Sequence, residues 1–197
     1  HESDLSIGLA NKISIPVARK VCCSFPETWE QLPAKKRVLT GLPVRSEILT
    51  GCPTTGRKIA GFNNHKPVIL VIGGSKGSQI INDVLRAILP QLLLLYNVCH
   101  LCGKGNLDHN LTGSYGYYQK EFAFAEMPHF YAMADRVVTR AGATTIFELL
   151  SLAKPHLLIP LSRQASRGDQ IENAHSFQRQ GFSLILLEED LSKETLM

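Results

Sequence analysis

What this chain lacks narrows it before what it holds. No apolar run reaches the ~20 residues of a membrane-spanning helix. The greasiest stretch, AILPQLLLLYNV at 87–98, is broken by Pro90 and Gln91. Neither sign of charge dominates: 21 Lys and Arg against 17 Asp and Glu give a formal net charge of +4. That excess is too small to point to nucleic acid, and it is compatible with an anionic ligand or an anionic membrane surface. Charged residues make up only 19% of the chain and hydrophobic residues 44%, which excludes a disordered polymer. There is no internal repeat and no low-complexity tract. There is no secretory signal, and no Met opens the chain: His1 begins in mid-motif, so the N-terminus reads as cut.

Patterned cysteine is missing too. Cys22, Cys23, Cys52, Cys99 and Cys102 form an odd, irregular set, which reads as reduced and intracellular. Cys99-His-Leu-Cys102 has the spacing of half a zinc knuckle or of a redox pair, but no second CxxC or HxxxH follows it. The run is strand-like, so buried structural thiols are the simpler reading, and no metal site is inferred. Of the seven histidines, only His1 stands in a suggestive context. His65, His109 and His129 read as loop or surface residues and His175 as part of an exposed helix face. His100 and His156 fall in strand-like runs, where packed, satisfied rings are the rule.

What is present is alternation. A length of 197 residues suits one domain, or one domain plus part of another. After a helix-like LSIGLANKI come short strand candidates at 21–25 and 37–41, separated by PETWEQLPAKK, which reads as a loop. CPTTGRKIAGFNNHK at 52–66 reads as a turn-rich linker. From residue 67 the pattern becomes regular. PVILVIGG is a continuous apolar run, as expected of a strand buried on both faces. Helical spacing follows at Ile80, Ile81, Val84, Leu85 and Ile88. Further strand and helix candidates alternate to the end: NVCHLCG, a strand ending at KEFAFAE, MPHFYAMAD, RVVTR, ATTIFELLSLA, HLLIPL, DQIENAHSFQRQG, SLILLEE and the start of a helix at LSKETLM. This predicts an α/β fold with a doubly wound, Rossmann-like parallel sheet. The expected division is 1–50 as the end of one domain, 51–66 as linker and 67–197 as a ligand-binding domain.

In such folds ligands gather where strands hand over to helices, which singles out three loops. GGSKGS at 73–78 matches neither GxGxxG nor GxxxxGK[ST]. Its glycines and the following helix N-terminus suit an anion, and a plain tight turn is the alternative. RAGATTIFE at 140–148 sets small residues and two threonines at a second helix mouth. Glu148 stands a turn and a half in, where a carboxylate could accept two hydrogen bonds from a vicinal diol or simply complement the helix dipole. RQASRGDQIEN at 163–173 is polar and runs into a helix, where Asp169 could equally be a cap. Arg45, after a proline turn, could clamp a phosphate or lie free on the surface.

The stretches HESDLSIGLANK, TGLPVR, ILVIGGSKGSQIIN, FYAMADRVVTRAGATTIFELL and RGDQIENA occur in an order that resembles the MurG family, bacterial N-acetylglucosaminyltransferases of peptidoglycan synthesis. They span residues 1 to about 182. The resemblance implies two facing doubly wound domains of GT-B type. It also implies inverting transfer of N-acetylglucosamine from UDP-N-acetylglucosamine to the lipid-linked muramyl-pentapeptide (lipid I to lipid II), with no required metal. On this chain Glu148 would bind the ribose. Gly74 and Ser75 would meet the diphosphate, with Arg45 and Arg140 nearby, and Phe124 and Ala125 would lie against uracil. Ala143, Thr144, Thr145, Asp4 and Asn82 would support phosphate and sugar, and Asp169, Gln170 and Asn173 would read sugar hydroxyls. His1 and Glu2 open the acceptor-side motif, while the main general base is expected in a glycine-rich loop ahead of His1. Departures are Ala141 where a serine is common, Asp169 where Gln-Gln can stand, and Ile7 where proline is usual. The resemblance further implies a cytoplasmic protein, peripheral on the inner face of the cell membrane, with lipid I and cell-wall synthesis proteins as partners and no nucleic acid. A piece of this extent is expected to bind donor without turnover. Rival readings are a non-catalytic UDP-sugar-binding subunit, a glycolipid synthase using UDP-galactose, and a plain nucleotide-binding scaffold.

Overall fold

Val68–Ile72 carries the fold. Val68 and Leu70 point into one apolar cluster and Val71 into another, so successive side chains of this strand are buried on opposite faces. Such a strand must sit at the centre of a sheet covered on both sides. The computed structural model, which describes residues 1–74 and 76–197, has that arrangement. With β1 (Val21–Cys23) and β2 (Arg37–Leu39) forming a small parallel pair, β3 is Val68–Ile72, β4 Asn97–Leu101, β5 Tyr117–Lys120, β6 Arg136–Thr139, β7 His156–Leu158 and β8 Leu184–Ile185. The large sheet is wholly parallel with the order β5-β4-β3-β6-β7-β8. From β3 the chain moves one way to β4 and β5, and from β6 it moves the other way to β7 and β8. The strand order therefore reverses between β3 and β6, which opens a crevice at their carboxyl ends.

The helices are α1 (Leu9–Ser14), α2 (Pro26–Gln31), α3 (Pro53–Ala60), α4 (Gln79–Leu95), α5 (Met127–Met133), α6 (Ala143–Ser151), α7 (Asp169–Arg179) and α8 (Lys193–Leu196). The α4 helix starts where Ser78 caps the Ile81 amide, and it buries Ile81, Leu85 and Leu89 against one face of the sheet. The α5 helix packs Phe130, Tyr131 and Met133, and α6 packs Leu149, on the other face.

Two expectations fail, for a common reason. PETWEQ is α2 rather than loop, because Pro26 occupies the first turn, where its missing N–H costs nothing. The 52–66 stretch is not a linker: it holds α3, again opened by a proline. Ile48, Ala60 and Phe62 belong to the core of the large sheet, so the larger unit begins earlier than residue 67. Gly56 explains the packing. A Cβ there would stand 2.4 Å from the His129 carbonyl, so α3 lies in backbone contact with α5. The KEFAFAE stretch is also corrected: β5 ends at Lys120, and 121–126 is a loop.

The first segment does not hang free. Phe25 meets Phe147 edge-on at 5.8 Å and Phe177 at 5.3 Å. This three-ring cluster joins the β1 region to α6 and α7. Thr28 Oγ1 donates to the Leu5 carbonyl at 2.6 Å, and Ser176 Oγ donates to Glu27 at 2.8 Å.

Candidate functional site

The crevice between β3 and β6 is flanked by the N-termini of α4 and α6. Gly142 caps α6 without any side-chain bond, and Ala143 is buried while Thr144 is exposed. The first-turn amides of α6 therefore face outward without an intrahelical acceptor, the arrangement that attracts an anion. Gly74 closes β3 in a left-handed conformation with nothing within 4 Å of where a Cβ would stand. The loop behind it is wedged in place: a Cβ on Gly77 would lie 2.1 Å from the Cys102 carbonyl.

Glu148 is only 4% exposed. Its Oε1 accepts from Arg45 Nη2 at 3.0 Å and its Oε2 from the Tyr131 hydroxyl at 3.1 Å. A carboxylate this deep needs such partners to offset lost hydration. Arg45, Gly74, Phe124, Thr145 and Glu148 line one groove of about 380 Å³, with Glu121 and Tyr131 also on its wall. A second concavity of about 540 Å³ adjoins it through Arg45 and Phe124 and adds Ala125. Phe124 is 80% exposed, a flat apolar ring at the mouth. Glu126 shapes that mouth by accepting from the Phe124 amide at 3.2 Å and pairing with Lys120. A larger hollow of about 620 Å³ lies between α4, α7 and Glu188, but it lacks this union of helix mouth, carboxylate, arginine and aromatic.

Residues 68–197 match the glycosyltransferase family 28 C-terminal domain. The chain belongs to glycosyltransferase family 28. Over 196 residues it is 55% identical to the UDP-N-acetylglucosamine–N-acetylmuramyl-(pentapeptide) pyrophosphoryl-undecaprenol N-acetylglucosamine transferase of Geobacillus kaustophilus, covering 100% of this chain and 55% of that protein. It is 51% identical to the Clostridium tetani protein of the same name, with the same shares covered. The chain thus spans about half the length of the curated relatives it matches. Among solved structures it superposes on Acinetobacter baumannii MurG with a TM-score of 0.72 at 28% identity, covering 100% of this chain and 55% of that one. It also matches the calicheamicin glycosyltransferase CalG4, with a TM-score of 0.60 at 15% identity over 90% of this chain and 43% of that one. The second likeness speaks for the fold alone. The doubly wound architecture read from the alternation, and the GT-B likeness that the resemblance implied, are the ones found.

The fold brings together only part of the predicted site. Arg45, Gly74, Phe124, Thr145 and Glu148 share the groove, Ala125 lies in the adjoining hollow, and Ala143 and Thr144 stand at the α6 mouth. Ser75 lies outside the described residues. Four other predicted ligands, and the catalytic candidate Glu2, are engaged in bonds within the protein. Asn82 is buried: its Nδ2 donates to the Cys102 carbonyl at 3.0 Å, and its Oδ1 meets His100 Nε2 at 2.9 Å. Arg140 donates to the Ile159 and Pro160 carbonyls at 3.2 and 3.3 Å and to Ser78 Oγ at 2.6 Å, and it pairs with Glu188. It therefore braces the start of α4 against β7. Asn173 is buried, accepting from the Leu5 amide at 2.9 Å and donating to Asp4 Oδ1 at 2.8 Å. Asn173 and Asp4 together fasten the first segment to α7. Glu2 is buried as well, and its Oε2 accepts from the Gly8 amide at 2.8 Å and Asn11 at 2.9 Å. It shapes its own loop and presents no free base.

His1 is exposed, with Nε2 3.1 Å from the Gly41 carbonyl. Asp169 opens α7 with Arg167 Nη2 at 3.8 Å. The Gln170 Oε1 accepts from the Leu161 amide at 3.1 Å, tying α7 to the end of β7. Sequence reasoning missed Tyr131, whose hydroxyl is indistinguishable from any helical tyrosine until the fold sets it on Glu148. It also missed Glu121, which holds the Gly105 amide at 2.6 Å. Among the described residues, no group of three or more His, Cys, Asp or Glu could hold a metal, and all five thiols are free. His129 lies on α5, not in a loop, and its Nδ1 accepts from the Cys52 amide at 2.9 Å.

Proposed function

We propose that this chain is the donor-binding part of a transferase that moves N-acetylglucosamine from UDP-N-acetylglucosamine to undecaprenyl-pyrophosphoryl-N-acetylmuramyl-pentapeptide. The single observation that carries the reading is the groove at the sheet's reversal point. There a buried carboxylate, an exposed arginine, an open helix mouth and an exposed aromatic ring meet in a chain 55% identical to a transferase so named. Glu148 accepts from the ribose hydroxyls, Phe124 and the Ala125 backbone flank uracil, and Gly74, Arg45 and the α6 amides take the diphosphate. As UDP departs with inversion at the anomeric carbon, these fixed donors stabilise its growing charge. Such preorganised donors are worth ~3 kcal/mol each in enzyme sites. In this scheme the charge is met without a metal, so EDTA is expected to leave UDP affinity unchanged, and a loss of binding on chelation counts against it.

The 1–197 chain is proposed to bind donor without turnover, because its own acceptor-side acid, Glu2, is spent on the Gly8 amide and Asn11. Peripheral attachment to the inner membrane face belongs to the same proposal. It is supported by Leu9, Ile13 and Val17, exposed and spaced four residues apart beside Lys12, Arg19 and Lys20. Calorimetry with UDP-N-acetylglucosamine, UDP-galactose and UDP separates this reading from a glycolipid synthase. Tighter binding of the acetylated sugar nucleotide is expected, and a preference for UDP-galactose rejects it.

A further inference from the structure

Tyr131 is 1% exposed and sits among Leu70, Leu101, Phe130, Val137 and Leu149. A phenol hydroxyl in such a cluster is costly unless it is bonded, and burial followed by the neighbouring Glu148 pushes its pKa well up. Its one partner among the described residues is Glu148 Oε2, at 3.1 Å. A carboxylate offers about four acceptor sites. Tyr131 takes one on Oε2 and Arg45 takes one on Oε1. Among the described residues nothing else bonds the carboxylate, which leaves one site per oxygen, matching the two donors of a vicinal diol. The two anchors differ in kind: the Arg45 side chain is 63% exposed, whereas Tyr131 is held by the packed core. The ring, not the guanidinium, fixes where the carboxylate points.

Resting on the reading of this groove as a nucleotide seat, we propose that Tyr131 is a positioning residue that sets ribose selectivity. Its core-anchored hydroxyl aims Glu148 so that both remaining acceptor sites meet the 2′ and 3′ hydroxyls. The site therefore tells a ribonucleotide from its 2′-deoxy form through a residue that acts by way of Glu148.

The test measures UDP and 2′-deoxy-UDP affinities by calorimetry for the 1–197 chain, Tyr131→Phe and Glu148→Gln. The unaltered chain is expected to favour UDP about tenfold, the scale of one hydrogen bond to a charged group. In Tyr131→Phe the preference is expected to fall to about threefold or less, because the carboxylate loses its aim while the ring still fills its place. A purely structural role would weaken both ligands together and leave their ratio unchanged, and that outcome overturns the proposal. An unaltered chain that discriminates, with a Glu148→Gln variant that does so equally well, removes the ribose assignment itself. An unaltered chain that does not bind UDP removes the nucleotide seat. Incorporation of 3-fluorotyrosine keeps the inference testable if the phenylalanine variant fails to fold. The ¹⁹F resonance assigned to position 131 is expected to move on Glu148→Gln, and an unmoved resonance rejects the contact.

Discussion

At the scale of single residues, burial decides what a polar group is for. His100 shows this without any ligand. It is wholly buried, between Asn82 Oδ1 and the Tyr117 hydroxyl at 2.8 Å. Since Asn82 uses its amide on the Cys102 carbonyl, its oxygen must accept, which places the ring proton on Nε2. Burial, and then the nearby Arg86, lower the His100 pKa to about 3 from 6.5. The unfolded chain therefore binds a proton that the folded chain refuses. The stability from this group is full above pH 6.5 and is lost as pH falls toward 3, at about 1.4 kcal/mol per unit. Denaturant unfolding at pH 7 and pH 5 is expected to show that slope, and His100→Gln should flatten it. The same logic applies to Asn82, Asn173, Arg140 and Glu2. Each has a residue type that suits a ligand, and each is spent on the protein. Asn173→Ala should cost about 1–3 kcal/mol of unfolding free energy and leave the ratio of UDP-N-acetylglucosamine to UDP affinity unchanged. A collapsed ratio would return Asn173 to the sugar site.

At the scale of elements, legibility follows periodicity. The 68–72 strand and the 79–95 helix were readable because each repeats its burial pattern over enough residues to be distinctive. The β3 run is apolar on both faces, and α4 has apolar residues at helical spacing. The α2 and α3 helices were not readable. They are six and eight residues long, and their opening prolines are equally at home in a turn. What makes α3 a helix is tertiary: Gly56 lets its backbone rest on α5. Gly56→Val is expected to destabilise the chain by about 1–3 kcal/mol through overpacking, read as a lowered unfolding midpoint, whereas an unchanged midpoint would mean that the two helices are free to separate. The motif loops gave up Glu148 and the α6 mouth because strand, small residues and helix follow one another directly. They could not give up Tyr131. Its partner lies 17 residues away on another helix, and only the sheet's winding brings the two together.

At the scale of the whole molecule, a strand order that reverses once makes a single crevice, and the chain's polar chemistry converges there from segments far apart in sequence. Arg45 comes from the turn after β2, Gly74 from the end of β3, Phe124 from the loop after β5 and Glu148 from α6. The first segment contributes Arg45 and is locked in place by the Phe25–Phe147–Phe177 cluster and the Asp4–Asn173 bond, so site and scaffold are stabilised together. The most direct measurement is a calorimetric titration of the chain and of Glu148→Ala with UDP and with ADP. The account predicts that UDP binds more tightly than ADP and that the variant loses about tenfold or more in UDP affinity. Equal affinity for both nucleotides, or UDP binding untouched by the substitution, would contradict it.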